Sequence, residues 1–295
     1  MLPLALKTFV HRLRTIEERC EKIQEALGRI EGRQLKGLPA GNIQEAEFKV
    51  FSQWGEDGIL QHLLRHIVVS RKIFVEFGVE NYTESNTRFL LLNDNWAGLV
   101  IDGSSSNIDY IKSDEIYWRH NLKAEHAFIT KENINDLIHR NGISGEIGLM
   151  SIDIDGNDYW VWEAIDIVLP SVVVVEYNSR FGSDKAVTVP YDAGFVQSTA
   201  HHSGLYFGAS LAALCLLGKR KGYSFVGCNT AGNNAFFVRS KLRPTTLAEL
   251  TPAEGFVEAQ FRQARDAYGT MTFSTAEQET AILRDLPLVE IYEFL

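Results

Sequence analysis

The stretch IDIDGNDYW, residues 152–160, places Asp153, Asp155 and Asp158 around a glycine at the end of the apolar run EIGLMSIDIDG. Desolvated carboxylates are costly unless they are paired, hydrogen-bonded or bound to a cation, so the stretch is a candidate site. Side chains two apart on a strand point the same way, which puts Asp153 and Asp155 on one face while Ile152 and Ile154 pack on the other. Such a pair can orient an acceptor hydroxyl, take its proton, or hold a divalent cation such as Mg2+ or Mn2+ that lowers the hydroxyl pKa. Asn157 or Asp158 reads as the cap of the helix that follows. A second apolar run, SVVVVEYN, ends in Glu176 and Asn178.

Two other strand ends are polar. VEFGVEN carries Glu76, Gly78 and Asn81, with one glycine where GxGxxG would have three, so a pyrophosphate cradle is disfavoured. Asp102 follows Glu76 by 26 residues and, with Gly103 and Ser104, closes the next apolar run, where an acidic side chain accepts the hydroxyls of a ribose. The segment 179–204 lacks periodicity, and a loop of that length inside a domain is usually functional. It offers Arg180 and Tyr191 as substrate contacts and His201 or His202 as a base titrating near neutrality.

The elements that must position these residues are apolar strand-like runs at 72–79, 97–104, 124–130, 147–155 and 171–178, alternating with helix-like segments. That alternation predicts a parallel sheet covered on both faces, with ligands bound beyond the carboxyl ends of its strands. YSFVGCNT and NAFFVRS, joined by a turn, add a closing hairpin. Leu6, Phe9, Leu13, Ile16, Cys20, Ile23, Leu27 and Ile30 are spaced by three and four, a heptad seam within residues 1–35. With Leu6 at position a, Arg12 falls at g and Glu17 at the following e, an arrangement that pairs across parallel helices; Leu at a with Ile at d favours more than two strands. The seam predicts a homo-oligomer, against the alternative of one amphipathic helix packing on its own domain. Residues 241–295 read as a helical tail.

With 45% hydrophobic and 23% charged residues in 295, the chain is globular, and its net charge of −9 argues against wholesale nucleic-acid binding. Cys20, Cys215 and Cys228 are odd in number and widely spaced, which indicates neither a disulfide framework nor a zinc site and fits a cytoplasmic location. No apolar run is long enough to span a membrane, although Lys7, Arg12 and Arg14 beside apolar residues leave room for peripheral membrane contact.

Together, SQWGEDGIL, FVEFGVENYTESNTRFLLLNDNWAGLVIDGS, LMSIDIDGNDYWVWEAI, VVVVEYN and GASLAALCLLGKRKGYSFVG resemble the class I S-adenosylmethionine-dependent methyltransferases, specifically the FkbM-type O-methyltransferases, over about residues 47–240. The resemblance implies a Rossmann-like α/β sheet closed by an antiparallel hairpin and S-adenosyl-L-methionine as cofactor. Carried over by position, Glu76, Gly78 and Asn81 line its methionine part and Asp102, with Ser104 beside it, its ribose. The end of the fourth strand then lies beside the transferable methyl, with the end of the fifth as neighbour, so the resemblance brings Glu176 to Asp153 and Asp155 as a catalytic and metal-binding candidate and makes Asn178 a substrate contact. The implied reaction is O-methylation of a sugar or glycan-precursor hydroxyl. Glu80 stands where the family's first loop has its second glycine. Two rivals are a metal-dependent nucleotide-sugar glycosyltransferase, since DID has the D-x-D form, and a non-catalytic scaffold organised by its coiled coil.

Overall fold

Runs dense in Val, Ile, Leu and Phe favour the pleated, doubly covered environment of a central sheet, and here they form one. In the computed structural model, which describes residues 4–293, the strands are β1 (Ile73–Phe77), β2 (Ala97–Asp102), β3 (Leu122–His126), β4 (Gly145–Ile152), β5 (Val168–Glu176), β6 (Val187–Thr188), β7 (Tyr223–Cys228), β8 (Asn234–Arg239) and β9 (Val289–Glu290). Seven of them make a sheet in the order β3-β2-β1-β4-β5-β8-β7. The first five are parallel, and β8 inserts antiparallel between β5 and β7. This is the expected Rossmann-like arrangement with its closing hairpin. Strand order reverses at β1, so the crevice beyond the carboxyl ends of β1 and β4 is the topological switch point.

Alternation along each strand fills two cores. Val75, Phe77, Leu99 and Ile101 pack with Ile134 and Leu137 of α6 (Ile134–Arg140), Trp162 of α7 (Asp158–Ala164) and Leu214 of α9 (Leu211–Arg220). Phe74, Val100, Leu149 and Val174 pack on the other face, with Leu60 and Leu63 of α2 (Glu56–His66), Leu91 of α3 (Arg88–Asp94) and Ile108 of α4 (Ser105–Ser113). The short α5 (Glu115–Arg119) and α8 (Gln197–Ala200) complete the connections. Trp162 is fully buried beside Tyr223 and Phe237, so it serves the core.

The N-terminal helix α1 (Leu4–Gln34) is continuous. Leu6, Lys7 and Arg14 lie outside the described side chains. From Glu21 onward one face of α1 meets the sheet domain: Glu21 pairs with Arg88 at 2.7 Å, and Gly28 sits against Val50 and Phe89.

The expected helical tail is largely extended. Among its described residues, α-helix is confined to α10 (Pro252–Gly255) and α11 (Ala276–Arg284), after a 3-10 turn at Ser240–Leu242. Between them, Gln260 N donates to Ala231 O, Ala259 N to Ser179 Oγ and Tyr177 Oη to Val257 O. These long-range bonds replace the ladder that a helix would supply. The segment 179–204 is likewise packed: Phe181, Val187, Val189 and Leu205 bury against Ala264 and Leu283 of the tail, and β6 pairs with β9. No helix among the described residues is long and apolar enough to cross a membrane.

Candidate active site

At the switch point two adjoining cavities, about 260 and 180 Å³, share Gly78, Glu80, Asp153 and Asp155 in their walls. The first continues toward Glu76, Glu176, Gln53, Asn233 and Phe261; the second toward Asp102, Phe128, Asn157 and Phe195.

At the end of β1, Glu76 is buried and its carboxylate is taken up within the protein. Ser85 Oγ donates to it at 2.9 Å, Asn86 N at 2.8 Å and Thr87 N at 3.2 Å, with Thr87 Oγ1 beside them. Burial raises its pKa against the opposing pull of these donors. Glu76 therefore anchors the start of α3, and it shapes the cavity rather than presenting a free carboxylate. Gly78 has φ +67°, and a Cβ there would fall 1.7 Å from Asp153 O. Gly78 thus makes a close approach to the backbone after β4, where the two loops cross.

Asp102 accepts from Glu80 N at 2.8 Å through Oδ2 and from Ser104 N at 2.8 Å and Asn107 Nδ2 at 3.0 Å through Oδ1. Two carboxylate oxygens offer about four acceptor positions, so roughly one is left for a ligand. Glu80 itself adopts φ +46°, the left-handed conformation that a glycine would take without strain. Asn81 Oδ1 accepts from Thr83 N at 3.1 Å, and Ser104 caps α4 through Asn107 N. Neither Asn81 nor Ser104 is in the walls of the two cavities.

Asp153, Asp155 and Glu176 converge: one carboxylate oxygen from each lies within 4.8 Å of the others. Strand alternation is not the reason, because β4 ends at Ile152 and Asp155 has φ +56°. A turn brings them together. Asp158 ties that turn, accepting from Ile154 N at 2.8 Å and Gly156 N at 2.9 Å, and burial pushes its carboxyl up to about 6. Asn157 occupies the N-cap position of α7 without a side-chain capping bond. Its Nδ2 donates to Asp192 O at 2.7 Å, leaving a buried Oδ1 without a partner in the wall of the second cavity. Desolvation and then the neighbouring carboxylates hold Asp153 and Glu176 well above the usual carboxylate range, and Glu176 Oε2 is buried without a partner. The trio thus favours retaining a proton, because separate negative charges this close repel.

Several residues of the site carry no local signal. Glu56 is fully buried and accepts from Asn229 Nδ2 at 2.7 Å, Asn234 Nδ2 at 2.9 Å and Trp54 N at 2.9 Å. Asn229 Nδ2 also donates to Asn233 Oδ1 at 2.7 Å, and Asn233 Nδ2 to Gln53 Oε1 at 3.3 Å. This network joins SQWGED to CNTAGNN and places Gln53, Asn233 and Asn234 in the first cavity. The tail adds Phe261, stacked on Trp54 with ring centroids 5.6 Å apart, and Gln263. The available hint was polar, Asn-rich sequence inside an otherwise apolar hairpin.

The expected contacts from 178–202 stand elsewhere. Asn178 is fully buried and donates to Leu205 O and Phe207 O at 2.8 and 3.1 Å. Arg180 forms a buried pair with Glu279 at 3.1 Å. Tyr191 bonds Glu132 and lies under Lys131 Nζ at 4.1 Å. His201 binds Ser203 Oγ at 2.8 Å and packs on His202, with ring centroids 4.1 Å apart, and burial lowers its pKa. All five are absent from the walls of both cavities: the tail takes up Arg180, residues 131–132 take up Tyr191, and Asn178, His201 and His202 are engaged within the loop and the segment that follows it.

No family model matches the sequence, and no curated protein does. Among solved structures, the chain is similar to the N-terminal domain of EvdMO1 with SAH bound, at 11% identity over 72% of this chain and 94% of that one, with a TM-score of 0.41. It is similar to an S-adenosylmethionine-dependent methyltransferase from Clostridium acetobutylicum at 10% identity, over 62% and 88% of the two chains, TM-score 0.39. TrmK from M. capricolum, in complex with S-adenosyl-homocysteine, matches at 11% identity over 66% and 74%, TM-score 0.36.

Proposed function

We propose that this chain is an S-adenosylmethionine-dependent O-methyltransferase, of the FkbM type that its motif order resembles, and that its acceptor is a sugar or glycan-precursor hydroxyl. The observation that carries the reading is the pair of cavities meeting at Gly78, Glu80, Asp153 and Asp155, at the switch point of a parallel sheet with one inserted antiparallel strand.

The residues present fit the cofactor. Asp102 and the unpartnered Asn157 Oδ1 would hold its nucleoside in the second cavity, against Phe128 and Phe195. Its sulfonium and ammonium charges suit a wall made of Glu80, Asp153 and Asp155. When bound, the cofactor supplies an electrophilic methyl group. The acceptor side is the first cavity, where Gln53, Asn233, Asn234 and Gln263 provide amide donors and acceptors and Phe261 an apolar face. Carboxamides, carboxylates and an aromatic face together suit a polyhydroxylated ligand.

Asp153 and Glu176 would position the acceptor hydroxyl and take its proton as the oxygen becomes an ether. General-base action contributes typically ~10²–10⁴ in rate, and alignment in a closed site the larger remainder. Three hard oxygen donors also fit Mg2+ or Mn2+, which would lower the pKa of the same hydroxyl. We assign residues 47–240 as the catalytic unit, with Phe261 and Gln263 of the 241–295 segment completing its acceptor wall.

One observation favours the scaffold alternative: Asp102 is nearly saturated by protein donors. Calorimetric titration with S-adenosylhomocysteine, a uridine-diphosphate sugar as control, separates the readings. Saturable binding of the former alone is expected, followed by transfer of labelled methyl to a sugar or nucleotide sugar in a screen with and without chelator. Absence of S-adenosylhomocysteine binding at millimolar concentration would overturn the proposal.

A further inference from the structure

The apolar seam of α1 does not face its own domain. Phe9, Leu13, Ile16, Ile23, Leu27 and Ile30 are each 43–60% exposed, and Cys20 between them is exposed as well. The flank that meets the domain is a different one, carrying Glu21, Gln24, Gly28 and Gly32. Between Thr8 and Cys20 every described side chain except Thr15 is exposed, so this stretch of the helix buries little of its surface within the chain. Helices in proteins draw most of their stability from burying an apolar face. A strict alternation of three and four over three heptads is the pattern of a seam between helices, because a straight helix of 3.6 residues per turn drifts away from it.

The flanking charges select the occupant and its direction. The g positions hold Arg12, Arg19, Ala26 and Arg33, and the e positions Val10, Glu17, Gln24 and Glu31. Basic residues are on one edge and acidic ones on the other. Parallel copies place each g opposite the next e of the neighbour, bringing Arg12 to Glu17, whereas Gln24 is already bonded to Val50 O of its own domain. An antiparallel pair would set g against g and e against e, arginine facing arginine and glutamate facing glutamate. We propose that α1 associates with the α1 helices of further copies of this chain, parallel and in register, through the seam Phe9–Ile30. In that arrangement each Cys20 occupies an a layer with its own counterpart.

The test uses the full chain. Sedimentation velocity at tens of micromolar should give an assembly of at least two 33.2 kDa chains, and Ile16→Glu with Ile23→Glu should reduce it to a monomer. Both residues are exposed in the single chain, so the unfolding midpoint of the sheet domain should be unchanged. Copper-phenanthroline oxidation of the unsubstituted protein should give a reducible covalent dimer that Cys20→Ser abolishes. A wild-type monomer, or an assembly that survives the double substitution, overturns the proposal. An assembly in which Cys20 does not cross-link overturns the parallel register. A monomer that instead sediments with phosphatidylglycerol vesicles would identify a lipid surface as the occupant and refute self-association.

Discussion

Replacement of Gly78 by alanine tests the architecture of the site without knowledge of the acceptor. Two costs are separable. Holding an L-residue in the left-handed region, here φ +67°, costs roughly 1–2 kcal/mol. The second cost is steric: the new methyl carbon would lie 1.7 Å from Asp153 O, where real contacts essentially never fall below 3.0 Å. The loops after β1 and β4 must therefore part by roughly 1 Å or more, and these loops carry Glu80, Asp153 and Asp155. A displacement of that size at a reacting centre is worth about 10² in rate. Gly222→Ala is the control, since Gly222 has φ +81° with nothing within 4 Å of the added carbon. Urea unfolding should show Gly222→Ala destabilised by the conformational cost alone, roughly 1–2 kcal/mol, with S-adenosylhomocysteine affinity intact. Gly78→Ala should be less stable than that control and should lose most of its affinity and transfer. Equal stability of the two variants, with unaltered binding by Gly78→Ala, would refute the crossing-loop account.

Asp102→Ala removes the acceptor shared by Glu80 N, Ser104 N and Asn107 Nδ2; charge-assisted bonds of this kind are worth about 1.5–3 kcal/mol, so calorimetry should register affinity weakened by about 10- to 100-fold, and tight binding that persists would remove Asp102 from the site. Glu176→Gln keeps the size of a carboxyl that burial and Asp153 hold protonated beyond its usual range. A raised folded pKa stabilises the native state at low pH, and that contribution is lost as pH rises through it. Glu176→Gln should therefore gain melting temperature over wild type at pH 8–9, lose that advantage below pH 5, and transfer methyl groups poorly; the same difference at both pH values would contradict the clustered-charge origin. Phe261→Ala opens the acceptor wall opposite Trp54, so it should raise KM for the acceptor while leaving S-adenosylhomocysteine affinity within about twofold, and an unchanged KM would place the acceptor elsewhere.

The sheet was legible because its information is local. Unbroken runs such as SVVVVEYN state that both faces are covered, and polar residues ending several runs state where the crevice opens. Asp153, Asp155 and Glu176 were legible for the same reason, since carboxylates at the ends of buried strands have few inexpensive surroundings. So was the spacing of the α1 seam. What remained hidden depends on pairs that are far apart in the chain. Glu56 meets Asn229 across 173 residues, and no periodicity encodes that bond. Phe261 and Gln263 sit in a segment with helical composition that the fold holds extended through Ala231 O and Ser179 Oγ. His201, His202, Arg180 and Tyr191 have the chemistry of a site, but tertiary packing gives them partners outside it. Even Gly78 and Asp102, singled out by type and spacing, have immediate partners in the protein itself. Sequence fixes which groups a strand presents at its end; only the folded chain decides which of them are left unsatisfied, and those are the groups free to meet a ligand.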